Sequence, residues 1–292
     1  MLAQKDILAQ VRRLEIVTGK LVSESFAGDY SSVFKGRGME FNDVREYAEG
    51  DDPRDIDRNV SARTGKPFIR RYVEERELTV FVAVDLSGSQ DFGTAERLKR
   101  EAAVEAAALL AFSALANNDK VGLALFTDSI ERFVPAKKGR RHVLSIVRDI
   151  LAHEPARRGT AIGPCLEKLT RMLKRRCVLL VVSDFRDEGF EKALKLAALE
   201  HDVVPVVIED PAETALPAVA AVIETADPES GASRWLDAPA ASALAAEERH
   251  RRRVLEHTFR VAGLDAVTVS TSKPTVEPLI AFFRRRAKRR AR

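Results

Sequence analysis

Polar side chains that carry oxygen follow two of the most hydrophobic runs in the sequence. Asp85, Ser87 and Ser89 come directly after the run LTVFVAV, and Asp184 comes after CVLLVVS. Thr160 lies in a loop before a predicted helix. Carboxylate and hydroxyl oxygens suit Mg²⁺, or Mn²⁺, with retained water better than they suit zinc or copper. We therefore predict a metal site formed by these five side chains, with no catalytic residue.

A second interpretation of the same residues needs no metal. Serine and aspartate side chains after a strand often cap the following helix, and an Asp-x-Ser-x-Ser spacing is weak on its own. In a tight loop, however, this spacing can turn alternate side chains towards one ion. The presence of Thr160 and Asp184 near compatible strand ends favours the metal interpretation.

Strands and helices alternate along most of the chain. Strands are predicted over 78–84, 120–126, 131–135, 177–182, 202–208 and 265–270, with a hairpin formed by 219–224 and 233–236. Helices are predicted over 1–20, 95–116, 139–153, 161–174, 190–200, 240–261 and from 276 onward. Continuous apolar strands are typical of a sheet covered on both faces. We predict an α/β fold with a doubly wound, mostly parallel sheet flanked by helices, in which ligands bind beyond the carboxyl ends of the strands.

The segment 25–77 has a different character. It is rich in Gly, Asp and Arg and shows little periodicity, so we predict an irregular charged extension, which its scattered aromatic residues favour as ordered. We divide the chain into residues 1–77, a helix and charged segment packed on the main domain, 78–283, the α/β domain, and 284–292, a basic tail.

Positive charge is concentrated at the C-terminus. The chain has 48 Lys and Arg residues against 44 Asp and Glu residues, a net charge of +4. Seven of the basic residues fall within 284–292, so the remaining 41 are outnumbered by the acidic residues. We predict this block to be a solvated helix end, where cations complement the helix dipole. Binding of the tail to anionic lipid or nucleic acid is the alternative.

Several enzyme classes lack their sequence signatures here. No Gly-x-x-x-x-Gly-Lys-Ser/Thr sequence is present, so the chain is not predicted to be an ATPase. Asp85 lacks the second aspartate that an aspartyl-phosphate phosphatase uses as general acid. A metal-dependent phosphoester hydrolase at the same strand ends stays an alternative to a non-enzymatic protein. The two cysteines are predicted to be buried thiols, and the chain shows neither a signal peptide nor a membrane span, so we predict a cytoplasmic protein.

The predicted metal site resembles the metal-ion-dependent adhesion site (MIDAS) of von Willebrand factor type A domains. In that family an Asp-x-Ser-x-Ser motif is joined by a loop Thr and a strand-end Asp, which match Asp85, Ser87, Ser89, Thr160 and Asp184. The resemblance implies that the hydroxyls bind the ion and that the carboxylates bind it directly or through water. It also implies that an acidic residue of a partner protein completes the coordination shell.

The stretch from Gly36-Arg37-Gly38 to Ser61-Ala62-Arg63 resembles the signature of the domain-of-unknown-function family 58. Members pair this signature with a von Willebrand type A-like domain and are often encoded beside MoxR-type AAA+ ATPases. The resemblance therefore implies a MoxR-type ATPase as partner. Arg58 and Asn59 follow Asp57 where the family usually has Trp, so the resemblance does not carry over any role of that aromatic residue.

The charges of this stretch support two interpretations, a structural ion-pair network or a surface that docks a partner. Arginine and carboxylate groups can form bidentate, directional pairs in either case. The residues concerned are Arg37, Glu40, Arg45, Glu46, Asp51, Asp52, Arg54, Asp57 and Arg63.

These observations lead to one functional hypothesis. We predict a non-enzymatic protein-binding module that depends on a divalent metal and acts with a MoxR-type AAA+ ATPase in the assembly or maturation of another protein. The phosphoester hydrolase and the anionic-surface binder are the alternatives.

Overall fold

The computed structural model describes residues 4–21, 30, 39–74, 78–93, 97–214, 223–226 and 233–290. The chain forms two compact units, one made of Met1–Val33 with Leu78–Arg292 and the other of Phe34–Glu77. The sequence predicts that the first helix belongs with the charged segment. In the structure this helix, Gln4–Leu21, belongs to the α/β unit, because it packs on helices of that unit.

Ten strands and nine helices make up the described part of the chain. The strands are β1 (Met39–Glu46), β2 (Phe68–Glu74), β3 (Thr79–Asp85), β4 (Lys120–Phe126), β5 (Ile130–Lys137), β6 (Val178–Ser183), β7 (Asp202–Glu209), β8 (Ile223–Ala226), β9 (Ser233–Leu236) and β10 (Val267–Ser270). The helices are α1 (Gln4–Leu21), α2 (Arg58–Thr64), α3 (Lys99–Ala116), α4 (Arg140–Ala152), α5 (Ile162–Met172), α6 (Glu191–Glu200), α7 (Pro211–Thr214), α8 (Ala238–Val261) and α9 (Val276–Arg290). Short 3₁₀ turns cover Pro53–Asp55 and Gly88–Asp91.

A six-stranded sheet forms the centre of the larger unit, in the order β10-β7-β6-β3-β4-β5. Neighbouring strands are parallel except β5, which runs antiparallel to β4 at one edge. This confirms the predicted doubly wound, mostly parallel α/β fold. The chain leaves β3 towards β4 on one side and returns to β6 on the other, so the carboxyl ends of β3 and β6 form the switch point of the strand order.

Continuous apolar sequence explains why β3 and the helix after it lie inside. Residues Val80 to Val84 of β3 are at most 1% exposed, as expected for a strand covered on both faces. The helix α3 is buried over most of its length, which its alanine-rich sequence allows because small side chains let a helix approach the sheet closely. Helix α1 packs on α3 and α4, and its Glu15 pairs with Arg140 at 2.6 Å.

Residues 284–290 of the basic C-terminal block are part of a helix that contacts the sheet. Helix α9 extends to Arg290, with Phe283 fully buried and in edge contact with Tyr30. Arg286 is only 8% exposed and pairs with Asp202, and Arg289 pairs with Asp265. Part of the block therefore neutralises acidic groups of the α/β unit and is not a fully solvated helix end.

The smaller unit contains more regular structure than the irregular segment that its sequence predicts. Strands β1 and β2 form an antiparallel pair with a bulge between Phe41 and Asp43. Asp57 caps α2 by accepting hydrogen bonds from the backbone N–H groups of Asn59 and Val60, and Gly65 ends the helix in the left-handed conformation.

No helix among the described residues is long and apolar enough to cross a lipid bilayer.

A close approach inside the sheet gives a test of this packing. We expect Gly122→Ala to lower the free energy of unfolding by about 1–3 kcal/mol, because a Cβ atom there would lie 2.4 Å from Cε2 of Phe81. Phe81 is held in place by stacking on Phe133 at a centroid distance of 5.1 Å. Urea denaturation of both proteins measures the difference.

The variant Phe81→Leu serves as the control in the same background. It removes the ring atoms that the new methyl group meets, so Gly122→Ala should cost less stability in Phe81→Leu than in the wild type. An equal cost in both backgrounds would contradict the packing described for this pair.

Candidate functional site

Asp85 is the last residue of β3 and is completely buried. The backbone N–H of Ser87 donates to its Oδ1 atom at 2.9 Å, and the hydroxyl of Ser183 donates to its Oδ2 atom at 2.6 Å. Ser183 ends β6, the parallel neighbour of β3, which is why the two residues meet. Both oxygens of the carboxylate are thus fixed at the switch point of the sheet.

Two serine hydroxyls lie close together in the turn after β3. Ser87 and Ser89 are at most 4% exposed, and their Oγ atoms are 3.0 Å apart. The turn is tightened by a hydrogen bond from the N–H of Gln90 to the carbonyl of Ser87. The Ser89 side chain is also hydrogen-bonded to Asp184. The structure therefore brings together four of the five predicted metal ligands.

Thr160 lies in a neighbouring loop. The carbonyl of Arg158 accepts a 2.7 Å hydrogen bond from the N–H of Gly88, and the carbonyl of Thr127 accepts one from Ala161. These bonds place the Thr160 loop beside the serine turn. Thr160 itself is half-buried, and direct binding of an ion by its hydroxyl stays a prediction.

The two carboxylates of the site differ in how their charge is compensated. The Lys99 ammonium lies 2.6 Å from Oδ2 of Asp184 and 2.7 Å from Oε1 of Glu213. Lys99 and Asp184 are both 1% exposed. Among the described residues, no lysine, arginine or histidine forms an ion pair with Asp85. Asp184 therefore has a buried cation of its own, and Asp85 has only neutral hydrogen-bond donors.

This difference moves the pKa values of the two groups in opposite directions. Burial, followed by the negative charge of Asp184, raises the pKa of Asp85 to about 7. Burial also opposes ionisation of Asp184, but the Lys99 ammonium outweighs it and lowers the pKa of Asp184. In the metal-free protein at neutral pH, Asp184 is therefore ionised, and the pH is close to the pKa of Asp85.

An ion-pair network connects Asp184 to helix α8. Arg186 pairs with Glu213 at 3.3 Å and with Glu248 at 2.9 Å. Arg251 pairs with the same Glu248 and donates to the backbone carbonyls of Phe185 and Asp184. These contacts fix the backbone that follows β6, and so the position of Asp184.

Sequence reasoning missed Lys99 and Glu213. A lysine in the first turn of a helix is ordinarily taken as solvated. The first turn of a helix is unfavourable for a cation, since the positive end of the helix dipole lies there. A lysine at such a position can indicate a buried acidic partner, and this was the signal that the sequence offered. Glu213 gave no signal, because α7 is only four residues long.

The residues present fit a hard divalent cation. Asp85 supplies an uncompensated buried carboxylate, and Ser87 and Ser89 supply neutral oxygens beside it. Burying a charge without a counter-ion is costly, and a cation at this place would remove that cost. Within the described ranges, no group of three or more His, Cys, Asp or Glu side chains is arranged as a metal site. A metal here would therefore depend on the serine hydroxyls.

The charged segment forms ion pairs within the smaller unit. Arg45 pairs with Asp51 through two bonds of 2.7 Å, and Asp51 also accepts from the N–H of Ala48. Glu46 pairs with Lys66 at 2.9 Å. These contacts support the structural interpretation for Arg45, Glu46 and Asp51.

The remaining members of the predicted network have different positions. Asp57 pairs with Arg70 at 3.0 Å, and Asp52 caps the turn at Pro53. In the described part of the chain, Arg54 and Arg63 form no ion pair. Arg37 lies outside the described residues, and only the backbone of Glu40 is described, within β1. Arg58 and Asn59 begin α2 and are exposed, so the position where the family usually has Trp is on the surface.

The sequence matches a family model and several curated proteins. The model described as "Protein of unknown function DUF58" matches residues 43–257. Uncharacterized proteins from Mycobacterium bovis and Mycobacterium tuberculosis are each 30% identical over 281 residues, which is 94% of this chain and 88% of the relative.

Two solved structures superpose on this chain at low sequence identity. The conserved hypothetical protein BatB from Bacteroides thetaiotaomicron superposes with a TM-score of 0.48 at 19% identity, covering 72% of this chain and 99% of BatB. The SpRpn10 VWA domain superposes with a TM-score of 0.40 at 12% identity, covering 70% of this chain and 94% of that domain.

The raised pKa of Asp85 predicts how the stability of the metal-free protein depends on pH. The folded state binds the Asp85 proton more tightly than the unfolded state, whose pKa is 3.8. The stabilisation that protonated Asp85 provides is therefore complete below pH 3.8. It decreases as the pH rises and is lost once the pH has passed about 7. Chemical denaturation in the presence of a chelator should show this loss in the wild type.

The variant Asp85→Asn isolates the effect, because its amide has no proton to lose in this range. We expect the difference in unfolding free energy between wild type and Asp85→Asn to change by a few kcal/mol across this range. The slope is about 1.4 kcal/mol per pH unit where folded Asp85 keeps its proton and unfolded Asp85 has lost it. Parallel pH profiles for the two proteins would contradict the buried, unpaired state of Asp85.

Proposed function

The chain belongs to the protein family of unknown function DUF58, and we propose that it is a non-enzymatic protein-binding module whose contact with its partner depends on a divalent cation. The observation that carries the proposal is the state of Asp85. This carboxylate is fully buried at the switch point of the sheet, has two serine hydroxyls beside it, and has no basic partner among the described residues.

Asp85, Ser87 and Ser89 would hold the cation, with the Thr160 loop beside them. Bound Mg²⁺ or Mn²⁺ would supply positive charge and open positions for an oxygen ligand. Ser183 keeps the Asp85 carboxylate in a fixed orientation, and the ion-pair network keeps Asp184 in place. These contacts hold both carboxylates in defined positions in the metal-free protein.

The surroundings of the site favour an acidic partner. Arg158 is exposed in the loop that is hydrogen-bonded to the serine turn. Its neighbour Arg157 pairs with Asp128, and Arg186 beside Asp184 pairs with Glu213 and Glu248, so Arg158 is the basic group on which this argument rests. Basic groups around a cation attract carboxylates and increase the rate of encounter with an acidic surface. An aspartate or glutamate of the partner is therefore the ligand that best fits the remaining coordination positions.

The groups near Asp85 are poorly suited to catalysis. Asp184, which could act as a general base, is ion-paired with Lys99. Burial, followed by the charge of Asp85, raises the pKa of the Cys165 thiol to about 12, so this thiol is protonated and a weak nucleophile. These features favour binding over phosphoester hydrolysis.

A MoxR-type AAA+ ATPase is the partner that the family resemblance supports. We propose that the two proteins act together in the assembly or maturation of another protein, and that they do so in the cytoplasm. The C-terminal block is a weaker candidate for anionic surfaces, because Arg286 and Arg289 already pair with acidic groups of the α/β unit.

Metal binding can be measured directly by titrating Mn²⁺ and following the free ion by electron paramagnetic resonance. We expect the wild type to bind one ion and Asp85→Asn to lose at least about a factor of ten in affinity, as expected for removal of one charge from a metal site. Asp149→Asn is the matched control, since Asp149 lies on α4 and pairs with Arg132 and Arg148.

The partner step is tested with the purified MoxR-type ATPase encoded in the same genome. Its capture by the immobilised protein should require Mg²⁺ and should be lost in Asp85→Asn but kept in Asp149→Asn. Equal capture in chelator would contradict the metal-dependent contact. Mg²⁺-dependent hydrolysis of phosphate esters that disappears in Asp85→Asn would show an enzyme instead.

A further inference from the structure

A buried ammonium group lies beside the proposed metal position. Lys99 is the first residue of α3, and only 1% of its side chain is exposed. A buried ammonium is costly unless acidic groups compensate it. Lys99 meets this condition with two carboxylates, Asp184 at 2.6 Å and Glu213 at 2.7 Å. Its position is therefore fixed by contacts on two different elements.

The Lys99 ammonium is ion-paired with Asp184, a carboxylate that the metal would otherwise be able to bind. Lys99 lies on Oδ2 of Asp184, the backbone N–H of Arg186 donates to Oδ1 at 3.3 Å, and the Ser89 side chain is hydrogen-bonded to Asp184. An ammonium and a divalent ion that shared one carboxylate would repel each other strongly at low dielectric. Asp85, in contrast, has no competing cation among the described residues.

We infer that Lys99 is a positioning residue that keeps Asp184 from coordinating the metal directly. Asp85 is then the only carboxylate ligand, and Asp184 acts through the hydroxyl of Ser89. This inference rests on the proposed function and specifies the charge of its site. A divalent ion neutralised by one carboxylate retains a unit of positive charge, which increases its attraction for the acidic group of a partner.

Removal of the Lys99 ammonium is expected to strengthen Mn²⁺ binding. In the Mn²⁺ titration, Lys99→Gln should bind the ion at least about tenfold more tightly than the wild type, because Asp184 becomes free to coordinate it. Arg186→Gln is the charge-matched control. It removes a cation 3.9 Å from the same oxygen, Oδ2 of Asp184, but leaves Lys99 in place. Its effect should stay below about threefold, the scale of a partly exposed charge.

A second variant separates direct coordination from a general change in electrostatic field. The double variant Lys99→Gln/Asp184→Asn has the same net charge as the wild type and lacks the Asp184 carboxylate. Its Mn²⁺ affinity should therefore stay within about threefold of the wild-type value, and the gain seen in Lys99→Gln should be abolished because the new ligand is removed. A gain that survives in Lys99→Gln/Asp184→Asn would overturn the inference. Should Lys99→Gln fail to fold by circular dichroism, a Mn²⁺ affinity of Lys99→Gln/Asp184→Asn more than about tenfold weaker than that of the wild type would overturn it as well.

The results distinguish failure of this inference from failure of the proposed function. Wild-type binding that depends on Asp85 but is unchanged or weakened in Lys99→Gln would overturn the role of Lys99 and leave the metal site standing. Binding by Lys99→Gln but not by the wild type would support the exclusion of metal by Lys99 and overturn metal dependence of the native protein. Absence of binding in both folded proteins would overturn both.

Discussion

The unequal compensation of two buried carboxylates is the constraint on which the rest of the site depends. Asp184 has the Lys99 ammonium at 2.6 Å, whereas the hydrogen-bond donors to Asp85 among the described residues are neutral groups of Ser87 and Ser183. Neutral hydrogen bonds reduce the cost of burying a charge but do not remove it. The structure therefore contains one acidic group that is stable either when protonated or when a cation is bound nearby.

The fold creates this inequality through its strand order. The chain diverges after β3 and β6, so the turn after β3 and the backbone after β6 meet at one edge of the sheet. Helix α3 begins at that edge and brings Lys99 to Asp184 rather than to Asp85. Arg186 and Arg251 then connect Asp184 to Glu248 on α8. As a result, the charge of Asp184 is compensated by Lys99, whereas the charge of the neighbouring Asp85 is not compensated by any described cation.

Much of this architecture could be predicted from sequence, because buried parallel strands are continuous apolar runs. The strand predicted over 120–126 coincides with β4, and Asp85 was placed correctly at a strand end. The pair β1–β2 was not predicted, since its charged residues lack the alternation of a half-buried strand. Ion pairs such as Lys99–Asp184 join residues 85 positions apart, and local pattern does not determine such contacts. The side chains of the site were identifiable, but their charge balance required the three-dimensional structure.

Anomalous diffraction from crystals grown with Mn²⁺ tests the central claim most directly. The account predicts an anomalous peak within coordinating distance, roughly 2 Å, of oxygens from Asp85, Ser87 and Ser89. Asp184 should remain in contact with Lys99 in the same crystals. The absence of a peak at Asp85 at saturating Mn²⁺ would contradict the account.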